Sequence, residues 1–545
     1  MKTPILGGFS VTRSVNAADN RIVNLYPEAI PEGGKEAGWL TRAPGLTLLA
    51  TLGVGPIRGL WATAKDAYVV SGIEVYRVTS QWTSTLIGTV SNDGPVSMAD
   101  NGTQLFIACN GPSYIYNMTT GVFAQITDVD FPGAVTVGYL EGFFYFNVPD
   151  SELIYGTSLL DGTSVDPLDF VSATANPDGL IAIAVDHREV WAFGTNTIEV
   201  FRYVPSTPDF PLERIEGAYN EIGCAAAYSV VKLDNGLFWL GSDARGRGIV
   251  YRNQGYSGKR ISTHAVEWHI QSYGNLSDAL AYSYQQDGHS FYVLIFPSAD
   301  TTWVYDVSTD VWHERAGFVD GDFTRHFSNC QMAFDSQVVV GSYNSGDVYA
   351  LDMTKYTDNG VAQKWLRSWR ALPTGQNNLK RTTQHSLQLD IEAGVGLVEP
   401  AAEVIEELIL CENEDELLTE DFQPLASSLT FPEGSLYAWE EVQLRCEDNT
   451  ELLTEAGQEI IISAGYVVTI PPPQVMLRWS DDGGHDWSNE HWVSIGRIGE
   501  YGTRAIWRRL GMTLALRDRV YEVSGANPVK IAIMGAELVL SPTNS

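Results

Sequence analysis

Short runs of branched and aromatic residues, separated by polar turns, dominate the hydrophobic pattern of this chain. The stretch from Ala279 to Arg315 shows four such runs within 37 residues. A turn at Asp287-Gly288 separates the first two runs, and a second turn begins at Pro297. This pattern predicts a four-stranded antiparallel meander, which has the size of one β-propeller blade.

The same unit recurs along the chain, marked by a Tyr or Phe at the centre of its third predicted strand. The spacing between successive markers is 39 to 54 residues. The seven markers are Tyr76, Tyr116, Tyr155, Phe201, Tyr251, Tyr305 and Tyr349. Regular spacing in this range is typical of stacked supersecondary units and predicts a propeller of about seven repeats. The alternative, a large irregular sandwich, would show strands without a constant period.

Composition agrees with an all-β fold. The 545 residues include 25 Tyr, 20 Phe and 51 Gly, which favour strands and turns over helices. The five cysteines form no CxxC pair and are best interpreted as reduced thiols. No run of 18 apolar residues and no signal peptide are present, so we expect a soluble protein made in the cytoplasm, without a membrane-spanning segment.

The order of patterns predicts four regions. Residues 1–56 form a turn-rich N-terminal arm, which either closes the propeller ring or reaches a neighbouring subunit. Residues 57–373 form the propeller. Residues 374–396 and 471–545 form a β-rich C-terminal domain, interrupted by an acidic inserted β-module at 397–470.

The inserted module is strongly acidic. Residues 397–470 contain 18 Asp and Glu against one basic residue, Arg445, a net charge of −17. The phrases CENEDELLTE (Cys411–Glu420) and CEDNTELLTE (Cys446–Glu455) match at seven of ten positions and predict two similar hairpins. The acids do not follow the spacing of a calcium loop, so the pattern favours a solvated acidic face over a metal site. The candidate acidic surface consists of Glu412, Glu414, Asp415, Glu416, Glu447 and Asp448.

The formal net charge of the whole chain is −33, which argues against a protein that binds nucleic acid by neutralising phosphates. The C-terminal domain is nevertheless rich in arginine. On alternating strands these arginines favour ion pairs at a subunit contact, and ordinary pairs within the domain are the equal alternative. The candidate subunit-contact residues are Arg497, Arg504, Arg508, Arg509, Arg517 and Arg519.

Catalytic and cofactor motifs are not recognisable in the sequence. His264 and His269 are five residues apart, a spacing that turns two imidazoles away from each other on a helix. Ser480, Asp482 and Gly484 approximate an Asp-box, a motif that stabilises a turn. No GxSxG, Walker loop or HExxH occurs, so we expect no catalytic site, no cofactor and no enzyme.

Several phrases of the sequence resemble those of one protein family. NLYPE and LTRAPGL in the arm, PDGLIAIAVDHREVWAFGTNTIEVF (177–201), ISTHAVEWHI (261–270) and IGEYGTRAIWRRLGMTLALRDRVYEV (498–523) occur in the family's order. The chain thereby resembles the packaged-DNA stabilisation proteins, or tail-hub (nozzle) proteins, of short-tailed bacteriophages. The likeness covers most of the chain except residues 397–470.

The resemblance implies a structural virion protein. Six copies would form a ring in the virion tail below the portal and its adaptor, retain packaged DNA, and mount tail fibres or spikes. DNA would pass through the channel during ejection without sequence-specific binding. The alternatives are a carbohydrate-active propeller enzyme, a glycosidase or depolymerase, and a receptor-binding module of the virion.

Overall fold

The computed structural model describes most of the chain. The described residues are 1–14, 18–30, 34, 36–91, 94–174, 176, 178–205, 210–373, 381–393, 404–410, 436–443, 461–468, 472–496, 503–513 and 519–543. They divide into two compact units, residues 1–396 with 474–545, and residues 397–473.

The first unit contains seven consecutive antiparallel sheets, here called blades 1 to 7. Blade 1 comprises Ile57–Ala62, Ala67–Ser71, Glu74–Val78 and Ser84–Thr89. Blade 2 comprises Ser97–Asp100, Gln104–Ala108, Ser113–Asn117 and Phe123–Gln125. Blade 3 comprises Val137–Leu140, Phe143–Asn147, Leu153–Gly156 and Phe170–Ser172. Blade 4 comprises Leu180–Asp186, Glu189–Gly194, Ile198–Tyr203 and Leu212–Asn220.

The last three blades are more elaborate. Blade 5 comprises Gly223–Cys224, Val231–Leu233, Gly236–Asp243, Gly246–Gln254 and Ser257–Arg260, with a 3₁₀ turn at Ala227–Ser229. Blade 6 comprises Leu280–Gln286, His289–Phe296, Thr301–Asp306 and Val311–Val319, and Asp322–Arg325 pairs with the end of the last strand. Blade 7 comprises Ser328–Phe334, Gln337–Ser342, Asp347–Asp352 and, from the N-terminal arm, Gly45–Thr51.

Tight turns join the first two strands of the blades. In blade 6, Asp287 and Gly288 both have positive φ, 49° and 83°. This is the backbone of a type I′ turn, whose twist matches that of the flanking strands. All seven predicted aromatic markers lie on the third strand counted outward from the channel; in blade 5, Gly223–Cys224 and Val231–Leu233 both pair with Gly236–Asp243 and share the innermost position. The all-β propeller class is therefore confirmed.

The ring closes between the two ends of the propeller sequence. Gly45–Thr51 pairs antiparallel with Asp347–Asp352, so an N-terminal strand completes blade 7. The innermost strand of blade 7 in turn contacts that of blade 1. The sequence left two roles open for the arm, closing the propeller ring or reaching a neighbouring subunit. In the structure the arm closes the ring of its own chain.

Two further sheets form the C-terminal part of the first unit. The first runs in the order Ala505–Met512, Thr382–Ala393, Ile531–Pro542, Gly38–Arg42 and Leu25–Ala29, with Lys2–Thr3 beside Ile531–Pro542. The second continues the sheet of blade 6: next to Val311–Val319 it runs in the order Ile22–Val23, Trp365–Arg370, Val520–Gly525, Gln474–Ser480 and His491–Ser494. Short pairs complete the inventory, Ser10–Val11 with Asp19–Asn20 and Thr357–Asp358 with Val361–Ala362.

Apolar residues alternate along these strands and are buried between the two sheets, as expected for sheet packing. Trp365, Trp369 and Val523 of the second sheet are almost fully buried, as are Leu387 and Ile533 of the first. This forms a core separate from those between the blades.

The predicted boundaries at residues 56 and 373 do not coincide with the edges of the sheets. Gly45–Thr51, placed in the arm by sequence, is a propeller strand, whereas Trp365–Arg370, placed in the propeller, pairs with Val520–Gly525 of the C-terminal sheet. The repeat pattern could not reveal this because both segments pair with partners more than 150 residues away.

The second unit contains a three-stranded sheet. Its order is Val404–Leu410, Ile461–Val468 and Leu436–Gln443. The two acidic phrases that predicted hairpins, Cys411–Glu420 and Cys446–Glu455, lie outside the described residues.

One α-helix, His264–Ser272, is found in the described part of the chain. It begins after Thr263, whose side chain accepts a hydrogen bond from the Val266 N–H. No helix in the described ranges is long and apolar enough to cross a membrane.

Candidate functional site: the propeller channel and the arginines of the C-terminal domain

The innermost strands of the blades surround a central channel. Residues of blades 1 to 7 line a cavity of about 600 Å³. Most of its wall is apolar, with Val96, Met98, Val137, Ile183 and Leu280 among the lining residues. Consecutive residues of the inner strands, such as 95–100 and 136–139, border the channel, so each inner strand presents an edge to it rather than one face.

The channel is narrow. An inner strand of about six residues is roughly 20 Å long at ~3.3 Å per residue. A cavity of about 600 Å³ spread over that length leaves an opening narrower than ~12 Å. Double-stranded DNA, whose major groove alone is about 12 Å wide, does not fit through such an opening.

Polar groups of the channel wall are engaged by neighbours. Trp61 Nε1 donates to Asp100 Oδ2 at 2.8 Å, and Lys232 Nζ lies 2.6 Å from Asp186 Oδ1. Arg58 donates to three backbone carbonyls, including Gly72 O at 2.7 Å. Asp100 is the one carboxylate among the lining residues, and the described residues contain no cluster suited to a metal ion.

The predicted subunit-contact arginines fall into different environments. Arg519 is 2 % exposed. Its Nε and Nη2 donate to the two carboxylate oxygens of Asp481 at 2.7 and 2.9 Å, and Nη1 donates to Leu510 O at 2.6 Å. This bidentate pair lies inside the domain, so the expectation that Arg519 contacts another subunit is corrected. The physical reason is that Arg519 directly precedes the buried strand Val520–Gly525, where its side chain is enclosed within the domain.

Arg504, Arg508 and Arg509 are exposed. The last two belong to Ala505–Met512, which lies at the edge of the first C-terminal sheet. They border a surface depression of about 520 Å³ together with a bulge of the neighbouring strand between Gln384 and Ser386. Arg497 and Arg517 lie outside the described residues, as do all six residues of the candidate acidic surface.

The Asp-box residues form a turn between Gln474–Ser480 and His491–Ser494. Ser480 Oγ donates to Asp482 Oδ1 at 2.6 Å, and that carboxylate accepts from the backbone N–H groups of His485 and Asp486. These bonds hold the pKa of Asp482 below its usual value. The motif therefore acts as a structural turn.

His264 and His269, considered as a pair because of their spacing in the sequence, do not form a common site. His264 is on the exposed side of the helix, and its Nδ1 accepts a hydrogen bond from Arg260 Nη2 at 3.0 Å. His269 packs between Phe9 and Trp303, with ring centroids at 5.3 and 5.8 Å. Burial lowers the pKa of His269.

Sequence reasoning missed the residues that anchor the arm. Asn24 is fully buried, and its side-chain amide donates to Ala316 O and Lys364 O, both at 2.8 Å. Its Oδ1 accepts the Ala316 N–H at 3.0 Å. A single Asn at the start of the phrase NLYPE gives no local signal of partners some 300 residues away.

Comparisons with solved structures give weak likenesses. The extracellular domain of a hybrid two component system from B. thetaiotaomicron has 11% identity and a TM-score of 0.39, over 56% of this chain and 40% of that one. This chain thus spans less than half the length of that relative. The N-terminal domain of Nup159 has 10% identity and a TM-score of 0.36, over 60% and 98%. A chain of the mitotic checkpoint complex has 11% identity and a TM-score of 0.40, over 59% and 96%. No curated protein matches.

The fold defines a class: a β-propeller closed by an N-terminal strand and followed by a C-terminal domain of two facing sheets. Two family models match the sequence itself. The model for the β-propeller of bacteriophage P22 Gp10 matches residues 1–356, and the model for its β-sandwich matches residues 443–541. The chain therefore belongs to the bacteriophage P22 Gp10 family, and it is a structural protein of a phage tail.

Proposed function

We propose that this protein is a subunit of a tail hub, or nozzle. In this proposal six copies form a ring below the portal and its adaptor, retain the packaged DNA, and form part of the channel for ejection. Membership of the P22 Gp10 family is the observation that carries the proposal.

The dimensions of the propeller channel support a path for DNA between copies. An opening narrower than ~12 Å excludes a duplex from the axis of a single propeller, and apolar side chains make up most of the channel wall. A protein that conducts DNA with such a fold must therefore surround it with several subunits. A ring with cyclic symmetry is the closed arrangement of this kind.

The exposed arginines are the proposed subunit contact. Arg504, Arg508 and Arg509 offer guanidinium groups beside an edge strand, where they can pair with carboxylates of a neighbouring copy. Arg497 and Arg517 are included in this contact from the sequence alone, because they lie outside the described residues. A protein with 67 acidic and 34 basic residues presents an abundance of carboxylate partners.

The acidity also has a role in this proposal. Six copies carry 6 × −33 = −198 formal charges. Carboxylates that face the bore repel phosphate and prevent DNA from adhering during ejection. Salt restricts the effect to groups within about 8 to 10 Å of the duplex. Neutralising a bore-facing cluster should slow ejection, and unchanged ejection kinetics would remove this role.

The structural role is favoured over a glycosidase by the channel lining. Glycoside hydrolysis generally needs two carboxylates that flank one bond, whereas Asp100 is the one carboxylate among the lining residues and is bonded to Trp61. Incubation of the protein with host envelope polysaccharides separates the two functions. Release of oligosaccharides would favour the enzyme.

Retention of DNA is tested with particles that lack this protein. Such particles should package DNA and then lose it, and should lack attached fibres or spikes. Addition of the purified protein should restore both properties. Particles that keep their DNA without it would contradict the proposal.

A further inference from the structure

Five arginines are buried in the described part of the chain, and one of them differs from the rest. The five are Arg42, Arg58, Arg315, Arg367 and Arg519. Four of them donate to backbone carbonyls, and Arg519 also pairs with a carboxylate. Arg315 is 1 % exposed, and its Nε, Nη1 and Nη2 have no hydrogen-bond partner among the described residues.

Arg315 lies in the seam between blades 6 and 7, the apolar cluster that also contains Tyr26 of the arm and Val340 of blade 7. Its guanidinium carbon is 5.3 Å from the ring centroid of Tyr284 and 5.0 Å from that of Phe291. The ring faces attract the cation, but they accept none of its N–H groups in the plane of the guanidinium. The buried Tyr284 hydroxyl interacts electrostatically with Arg315, but no hydrogen bond of ordinary geometry joins the two groups.

The titratable groups around Arg315 do not neutralise it. His313 and His326 are buried, and burial followed by the charge of Arg315 lowers the pKa of each to about 3, so both are neutral. Asp306 is occupied by His289 Nδ1 at 2.8 Å and by the Thr309 hydroxyl at 2.7 Å. Asp358 makes no ion pair with Arg315 in the described structure.

The carboxylate of Asp358 is under the electrostatic influence of two buried arginines. It accepts from Gln363 Nε2 at 3.2 Å, and both Arg42 and Arg315 act on its charge from a distance. One carboxylate therefore faces two buried guanidinium groups. An arginine in a protein does not lose its proton, and an unpaired buried charge costs several kcal/mol. The seam therefore lacks an acceptor that carries negative charge.

We propose that the seam between blades 6 and 7 binds a small monovalent inorganic anion, of the chloride class, against the guanidinium of Arg315. The anion accepts the N–H groups of Arg315 and the hydroxyl of Tyr284, and it compensates the excess positive charge. It is small because the seam is otherwise filled with aromatic and branched side chains. Since this is the seam where the N-terminal strand closes the propeller, anion binding stabilises ring closure.

Thermal unfolding of the full-length protein in chloride tests this site. At constant ionic strength, with gluconate as the replacement anion, the unfolding midpoint should rise with the logarithm of chloride concentration above the dissociation constant. Arg315→Met should abolish this dependence. Arg367→Met is the matched control, because Arg367 is equally buried but donates to Ile5 O. It should lower the midpoint and keep the chloride dependence.

If Arg315→Met does not fold, a crystallographic measurement on the wild-type protein tests anion binding instead. Crystals of the wild-type protein grown in bromide should show an anomalous scattering peak in contact with the Arg315 guanidinium. Water at that position, or a midpoint that is the same in chloride and gluconate, would overturn the proposal. A chloride dependence that persists unchanged in a folded Arg315→Met variant would overturn it as well.

Discussion

Arg21 of the N-terminal arm and Glu314 of blade 6 form a bidentate ion pair. Arg21 Nε and Nη2 donate to the two carboxylate oxygens at 2.8 Å each, across a separation of 293 residues. The neighbouring Asn24 binds Ala316 of the same strand. The arm is therefore fixed to the outermost strand of blade 6 before it continues into blade 7, and we expect these contacts to control the stability of ring closure.

Arg21→Ala should destabilise the protein modestly. The side chain of Arg21 is 36% exposed, so solvent screens part of the pair, and a loss of about 1 to 2 kcal/mol is expected. Denaturant unfolding measures this. Arg202→Ala breaks a more exposed pair with Glu213 and should cost less than about 0.5 kcal/mol. Equal losses in the two variants would contradict the role of the arm contact.

Asn24→Ala should cost more, although it removes no charge. Three buried hydrogen bonds are lost, and the main-chain groups of Ala316 and Lys364 are left without partners, so we expect a loss of about 2 to 4 kcal/mol. Limited proteolysis should then cleave the arm faster than in the wild type. Thr12→Ala, in an exposed part of the arm, serves as the control and should change little. A wild-type proteolysis rate in Asn24→Ala would show that other contacts hold the arm.

The arginines of the C-terminal domain should separate into two groups. Arg519→Leu leaves the carboxylate of Asp481 without its partner and should cost about 3 to 5 kcal/mol in unfolding. Arg508→Glu changes an exposed side chain, so its effect on unfolding should stay within about 0.5 kcal/mol, while self-association measured by sedimentation should weaken. If Arg508→Glu and Arg504→Glu both associate as the wild type does, this edge is not the subunit contact.

Acid should destabilise the protein through its buried histidines. An unfolded histidine titrates near its ordinary pKa of 6.5, whereas burial and Arg315 lower the pKa of His326 to about 3. Between these values the unfolded chain binds a proton that the folded chain does not. Stability should thus fall as the pH falls, by about 1.4 kcal/mol per pH unit for each such histidine.

The variant His326→Asn isolates this contribution. Burial raises the pKa of Asp358 to about 7, which makes stability fall as the pH rises from about 4 to 7, but that effect is common to both proteins. The difference in unfolding free energy between the variant and the wild type should shrink as the pH is lowered from 6.5. A difference that is independent of pH would show that the fold does not lower the pKa of His326.

The repeat was predictable because it depends on local chemistry. The markers from Tyr76 to Tyr349 all lie on third strands, since each sits between turns that the sequence signals directly. Gly45–Thr51 and Trp365–Arg370 were assigned to the wrong domain because strand partners distant in sequence leave no local trace.

The candidate site was predictable only in part. Arginine content could not distinguish the buried Arg519 from the exposed Arg508, because that difference depends on which face of a strand meets the opposite sheet. Likewise, no pattern indicated that Arg315 would lie in an aromatic seam without an acceptor. Local periodicity indicates which secondary-structure element forms, whereas the partner of a buried charge depends on tertiary packing.

The central claim, that this protein is a ring-forming subunit of a phage tail, is tested most directly by the mass and symmetry of the particle. Native mass spectrometry and electron microscopy of the purified protein, alone and bound to virion tails, provide both. The account predicts a closed ring of six copies with a central opening wide enough for duplex DNA. A protein that stays monomeric even when bound to tails, or that occupies a position away from the tail axis, would contradict it.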